Sequence, residues 1–167
     1  MASSDNNAVT KRTVLLAVLV VIWVLLDQFT KSLVAGQELG KMFAGPFLGL
    51  IDFKLVHNTG GAWGIFEGNT VALGVFSLVV CALLLAYYIW QRREVNLVQT
   101  VGIGLIMAGG IGNAIDRFVQ GYVIDFIEFS FFDFPVFNVA DIGVTCGFVI
   151  LFIGLALAWR NESKDES

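Results

Sequence analysis

Charged residues are scarce in this chain. Lys, Arg, Asp and Glu make up 14% of 167 residues, against roughly 25% in an ordinary soluble domain. Histidine occurs once, at His57, which excludes a multi-histidine metal centre. The two cysteines, Cys81 and Cys146, lie inside apolar runs. They read as small packing or lipid-facing residues, not as a disulfide framework or an activated thiol. No Cys/His spacing suits zinc, and neither GxxxxGK[ST] nor GxGxxG occurs, so metal and nucleotide cofactors have no support. Lys and Arg are few and dispersed, unlike the basic patches that hold nucleic acid.

Apolar residues are what the chain has in excess: 57% of the total, with a mean hydropathy of +0.79. A helix needs about 20 mainly apolar residues to cross a bilayer. Four windows qualify, at 13–35, 71–90, 97–114 and 141–159. The expected fold is an all-α integral membrane protein, a single membrane domain over 1–167 with four transmembrane helices. The first run reads as a retained span and not a cleaved leader, because Asp27 and Lys31 interrupt its end and no small-x-small site follows. Lys11, Arg12, Arg92, Arg93, Arg160 and Lys164 fall on one side, against Lys31, Lys41, Lys54 and Arg117 on the other. The richer side is expected to be cytoplasmic, with both termini there. Trp90 and Trp159 fall at the inner boundaries, where interfacial aromatics gather.

Two outer segments remain, 36–70 and 115–140. In the first, Ile51, Phe53 and Leu55 alternate with Asp52 and Lys54, a half-buried strand pattern, and NTGG follows as a turn. A small extracytoplasmic β-like platform on the membrane surface is expected. The second segment is rich in phenylalanine and is expected to hug the interface.

Ionisable groups near hydrocarbon are costly, so each needs a partner or a role. Asp27 and Lys31 are four apart and suit an ion pair at the outer end of the first span. Asn113, Asp116 and Arg117 close the third span; anchoring and helix bridging are their plain structural roles. Asn138 and Asp141 open the fourth, as an N-cap with an acidic first turn would. Asp125 sits among Val123, Ile124, Phe126 and Ile127, where a structural aspartate has no obvious purpose; Glu128 is the competing carboxylate. All map to one side of the membrane. Two adjacent carboxylates share a proton and thereby provide a base and an acid for peptide hydrolysis by water. The helix start favours Asp141 as the anion; the residues alone do not choose its partner.

The stretches LDQFTK (26–31), HNTGGAWGIF (57–66), GGIGNAIDR (109–117), YVIDF (122–126) and FNVAD (137–141) together resemble bacterial lipoprotein signal peptidases, the signal peptidase II family. The resemblance implies an aspartyl endopeptidase of the bacterial inner membrane, with its site at the extracytoplasmic face. It would remove signal peptides from membrane-embedded prolipoproteins, ahead of a diacylglyceryl-modified cysteine. It implies a dyad at Asp125 and Asp141, with Asn58, Asn113, Asp116, Arg117 and Asn138 supporting or holding substrate. Membrane lipids and inhibition by globomycin-type cyclic peptides are also implied. Gly61 stands where the family more often has alanine, and the segment between Asp125 and Asp141 is short. Other readings are a proton- or cation-coupled transporter, which needs polar groups at mid-membrane depth, and a noncatalytic assembly protein. A presenilin-like GxGD pattern is absent.

Overall fold

A computed structural model describes residues 2–61 and 67–165; residues 62–66 of the HNTGGAWGIF stretch lie outside the described residues. Four helices, α1 (Ala2–Val34), α2 (Thr70–Gln91), α3 (Leu97–Val119) and α4 (Val139–Asp165), each contain a stretch long and apolar enough to cross a membrane. Three strands, β1 (Met42–Phe47), β2 (Ile51–Asn58) and β3 (Val123–Phe129), form an antiparallel sheet in the order β1-β2-β3. The chain is therefore a multi-pass membrane protein with a small sheet between the helix ends.

Helix α3 is the inner one. Within its span window 72% of residues are buried, against 6%, 11% and 17% in those of α1, α2 and α4, so the other three present most of their surface outward. Glycine makes this packing possible, as it does wherever helices must approach without a hydrophobic driving force. A Cβ on Gly102 would lie 2.6 Å from the Leu151 backbone nitrogen, and one on Gly147 would lie 2.8 Å from the Gly102 carbonyl. Helices α3 and α4 thus touch backbone to backbone. Further along, Gly112 leaves room for Asp27, whose Oδ2 would be 2.6 Å from an added Cβ. The start of α3 is fixed by a capping box in which Asn96 Oδ1 accepts from the Gln99 backbone N–H and Gln99 Oε1 accepts from that of Asn96.

The sheet joins the segments on either side of α2 and α3. Val56 pairs with Asp125, Asn58 with Val123 and Ile51 with Phe129. Val34, Leu55, Ile124, Phe126 and Ile127 form a buried cluster that seals the sheet to the bundle end. After β3 the chain returns to α4 through Phe137, whose N–H donates to the Ile127 carbonyl while its own carbonyl accepts from Phe126 and Ile127. This closes the loop 128–136 at its base and brings Asp125 and Asn138 together. Helix α3 continues to Val119, past the window at 97–114, so Asp116 and Arg117 stand on its last turns.

Candidate active site

Four buried or half-buried aspartates meet at the sheet end of the bundle, in two groups held by different donors. In the first, the Lys31 ammonium lies 2.9 Å from Asp27 Oδ2 and 2.9 Å from Asp116 Oδ2. It also donates to Asn113 Oδ1 at 3.0 Å, so all its protons are used. Asp27 Oδ1 accepts from the Ala140 backbone N–H at 2.9 Å, pinning α1 to the start of α4. Asp116 accepts from the Ile124 N–H at 3.1 Å and from Gln28 Nε2 at 2.9 Å. Both carboxylates are 0% exposed, and every oxygen of the pair has a donor. Nothing is left over to act on a bound molecule.

The second group is held by neutral amides. Asn138 Nδ2 donates to Asp125 Oδ1 at 2.6 Å, and Asn58 Nδ2 donates to Asp125 Oδ2 at 2.9 Å. Asp141 Oδ1 accepts from Asn113 Nδ2 at 2.8 Å, and its Oδ2 accepts from the Asn138 N–H at 3.1 Å. In return the Asp141 N–H donates to Asn138 Oδ1 at 2.9 Å, a reciprocal box at the start of α4. Asn138 therefore touches both aspartates and sets their relative position. Burial pushes the Asp125 carboxyl up to about 7, helped by the neighbouring Asp141 charge and opposed by the Asn58 and Asn138 amides and by Lys31.

A cavity of about 510 Å³ opens on this second group. Asn58, Asn113, Arg117, Asp125 and Asp141 form its polar end; Phe129, Phe134, Pro135, Phe137, Val144 and Cys146 line the rest. Asp27, Lys31 and Asp116 do not reach it. Arg117 Nη2 donates to the Gly60 carbonyl at 3.2 Å, while its buried Nε has no hydrogen-bond partner among the described residues. Asn58 is held in turn by the Gly60 N–H at 2.9 Å. Glu128 lies apart, 3.6 Å from Lys54, and Asp133 is exposed. Among the described residues no three His, Cys, Asp or Glu side chains converge as a metal site.

The nine residues singled out from the sequence thus gather at one end of the bundle, but as two assemblies with different surroundings. Gln28 escaped notice. Its amide bonds to Asp27, Asp116 and the Gly112 carbonyl, and only the crossing of α1 and α3 brings these within reach. The apolar wall of the cavity was equally hidden, because phenylalanines of the 128–136 loop read as interfacial until the loop is seen folding back beside α4.

The sequence profile described as Signal peptidase (SPase) II matches residues 19–157. The chain belongs to the signal peptidase II family. A lipoprotein signal peptidase of Gloeothece citriformis (strain PCC 7424) is 38% identical over 144 residues, covering 85% of this chain and 89% of the relative. One from Staphylococcus aureus (strain JH9) is 35% identical over 159 residues, covering 92% and 93%. Among solved structures, a bacterial membrane enzyme determined by the in meso method at 2.3 Å resolution superposes with a TM-score of 0.79 at 31% identity, covering 87% of this chain and 90% of that one. A second, at 1.9 Å, gives 0.74 at 32% identity over 84% and 91%. Membership in a signal peptidase II family makes the chain a membrane peptidase.

Proposed function

We propose that this peptidase removes signal peptides from diacylglyceryl-modified prolipoproteins and does so as an aspartyl endopeptidase, with Asp125 and Asp141 as the dyad. One observation carries the assignment of the pair. Among the described aspartates at this end, Asp125 and Asp141 line the cavity, whereas Asp27 and Asp116 are both bonded to Lys31 and closed off from it.

The chemistry follows from their surroundings. Asp141 lies in the first turn of α4 and accepts from two N–H donors, which fix the orientation of its carboxyl. It is placed to take a proton from a water molecule in the cavity. Asp125, raised to about 7, is protonated in a large share of molecules near neutral pH, and in that form donates its proton to the scissile carbonyl oxygen as the water oxygen bonds to the carbonyl carbon. The tetrahedral adduct then breaks at its C–N bond. The proton taken by Asp141 passes to the departing amine, and the gem-diol returns a proton to Asp125 as it collapses to a carboxylic acid. The two carboxyls titrate as a unit that needs one proton between them. Arg117, which lines the polar end of the cavity, suits a substrate backbone carbonyl.

Residence in a bacterial inner membrane, cytoplasmic termini and an extracytoplasmic site belong to the same proposal, supported by the distribution of Lys and Arg. A globomycin-type cyclic peptide would compete for the cavity. The test is cleavage of a diacylglyceryl-modified prolipoprotein by purified protein in lipid, with the products read by mass. A single cut just before the modified cysteine, unchanged by chelators, is expected. Indifference to the lipid modification, or activity that returns only with added metal ion, would refute the proposal.

A further inference from the structure

The two ends of β1 present different surfaces. Near the start of β1, Lys41 and Glu38 form an exposed ion pair. At the other end, the β1–β2 turn presents Phe47, Leu48, Gly49 and Leu50, with Leu48 82% exposed and Phe47 and Leu50 more than half exposed. No charge interrupts these four residues.

This turn is joined to a second apolar stretch. The Ser130 N–H donates to the Leu50 carbonyl at 2.9 Å, which seats the turn beside the loop that leaves β3. That loop exposes Phe131 and Phe132, and both rings pack against Phe129. Phe47, Leu48, Leu50, Phe131 and Phe132 thus form one surface from two distant parts of the sequence.

The depth of this surface is set by α4. Residues 134–137 of the same loop line a cavity with Val144, Thr145 and Cys146. Cys146 is seven residues into α4, about 10 Å below its first residue at 1.5 Å per residue. The loop therefore runs down alongside a membrane span, and α4 beyond it exposes Phe148, Val149 and Phe152 to lipid. The loop is thus next to a span whose outward face is apolar.

We propose that the turn 47–50 and the loop 130–134 form a wedge that inserts into the bilayer, at the boundary between headgroups and acyl chains. Its occupant is lipid. A water-exposed patch of this composition is uncommon on a protein surface, and aromatic residues favour this boundary. Asp133, the charged residue within the loop, is exposed. Nothing in this placement depends on the chemistry at Asp125 and Asp141.

The full-length protein in phosphatidylcholine vesicles provides the test. In a Cys146→Ala background, with Cys81 buried, single cysteines from Leu48→Cys, Phe131→Cys and Lys41→Cys carry a nitroxide label. Accessibility to oxygen relative to a water-soluble nickel chelate is expected to be several-fold higher at positions 48 and 131 than at 41. A second measurement needs no label: Leu48→Trp should gain emission that lipids brominated near the headgroup quench beyond the loss seen for the wild-type tryptophans. Chelate access at 48 or 131 equal to that at 41, or no added quenching in Leu48→Trp, overturns the wedge.

Discussion

Two pairs of aspartates stand at the same end of the bundle and share asparagine neighbours, yet their donors assign them opposite roles. Asp27 and Asp116 flank a buried ammonium and have a donor on each oxygen. Among the described residues, Asp125 and Asp141 receive only neutral amide donors, and they border a cavity. A cation bonded to both carboxylates, with a donor on every oxygen, leaves neither free to act on substrate. Without one, burial and mutual repulsion leave a proton to be shared. The same residue type thus serves as scaffold or reagent according to whether it is bonded to the lysine.

The largest expected effect is on the open pair. Asp141→Asn should lower the rate of prolipoprotein cleavage by ~10³-fold or more, as loss of an acid–base group does. Its thermal stability should change little, since the replacement still accepts one of the two N–H donors; a comparable loss of folded protein would erase the distinction between the pairs. Lys31→Met should reverse the pattern. It strands two buried carboxylates without a cation, and breaking a buried pair in this way costs about 3–5 kcal/mol. Denaturation in detergent micelles would register it, and a melting temperature equal to wild type would contradict the scaffold role.

The pH dependence sharpens the contrast. With Asp125 at about 7, kcat/KM should fall about tenfold per unit above that pH, as the pair loses its single proton. The sign for stability is the same. Because the folded-state value is raised above 3.8, the contribution of this carboxyl is fully present below 3.8 and is lost as pH rises through about 7. Asn58→Ala removes an amide that favours the Asp125 anion, so it should move the alkaline limb to higher pH and slow cleavage by roughly tenfold, the worth of about one hydrogen bond. A limb that moves down would mean that Asp125 is not the group being titrated. Glu128→Gln, which removes a partly exposed pair with Lys54 at 3.6 Å, should leave cleavage within about twofold, since such pairs contribute little.

Much of the fold is legible in the sequence because its causes are local. Long apolar runs make the spans, and the alternation at Ile51, Phe53 and Leu55 makes β2. The site is less so. Asp141 is visible as an acidic residue at a helix start. The choice between Asp116 and Asp125 is not, because it depends on where Lys31 and Gln28 of α1 meet α3, a crossing that no spacing encodes. Asn138 reads as a simple cap, whereas it also bonds Asp125 across the closed 128–136 loop. The Ile127–Phe137 pairing that closes this loop leaves no mark in a run of phenylalanines.

Cleavage per folded molecule, compared between Asp125→Asn and Asp116→Asn in one assay, tests the division of the four aspartates most directly. The account requires Asp125→Asn to be folded and inactive, and Asp116→Asn to be less stable yet active within about tenfold once corrected for folded fraction, as expected when a group acts through folding and not in the transition state. A folded, inactive Asp116→Asn beside an active Asp125→Asn would contradict it.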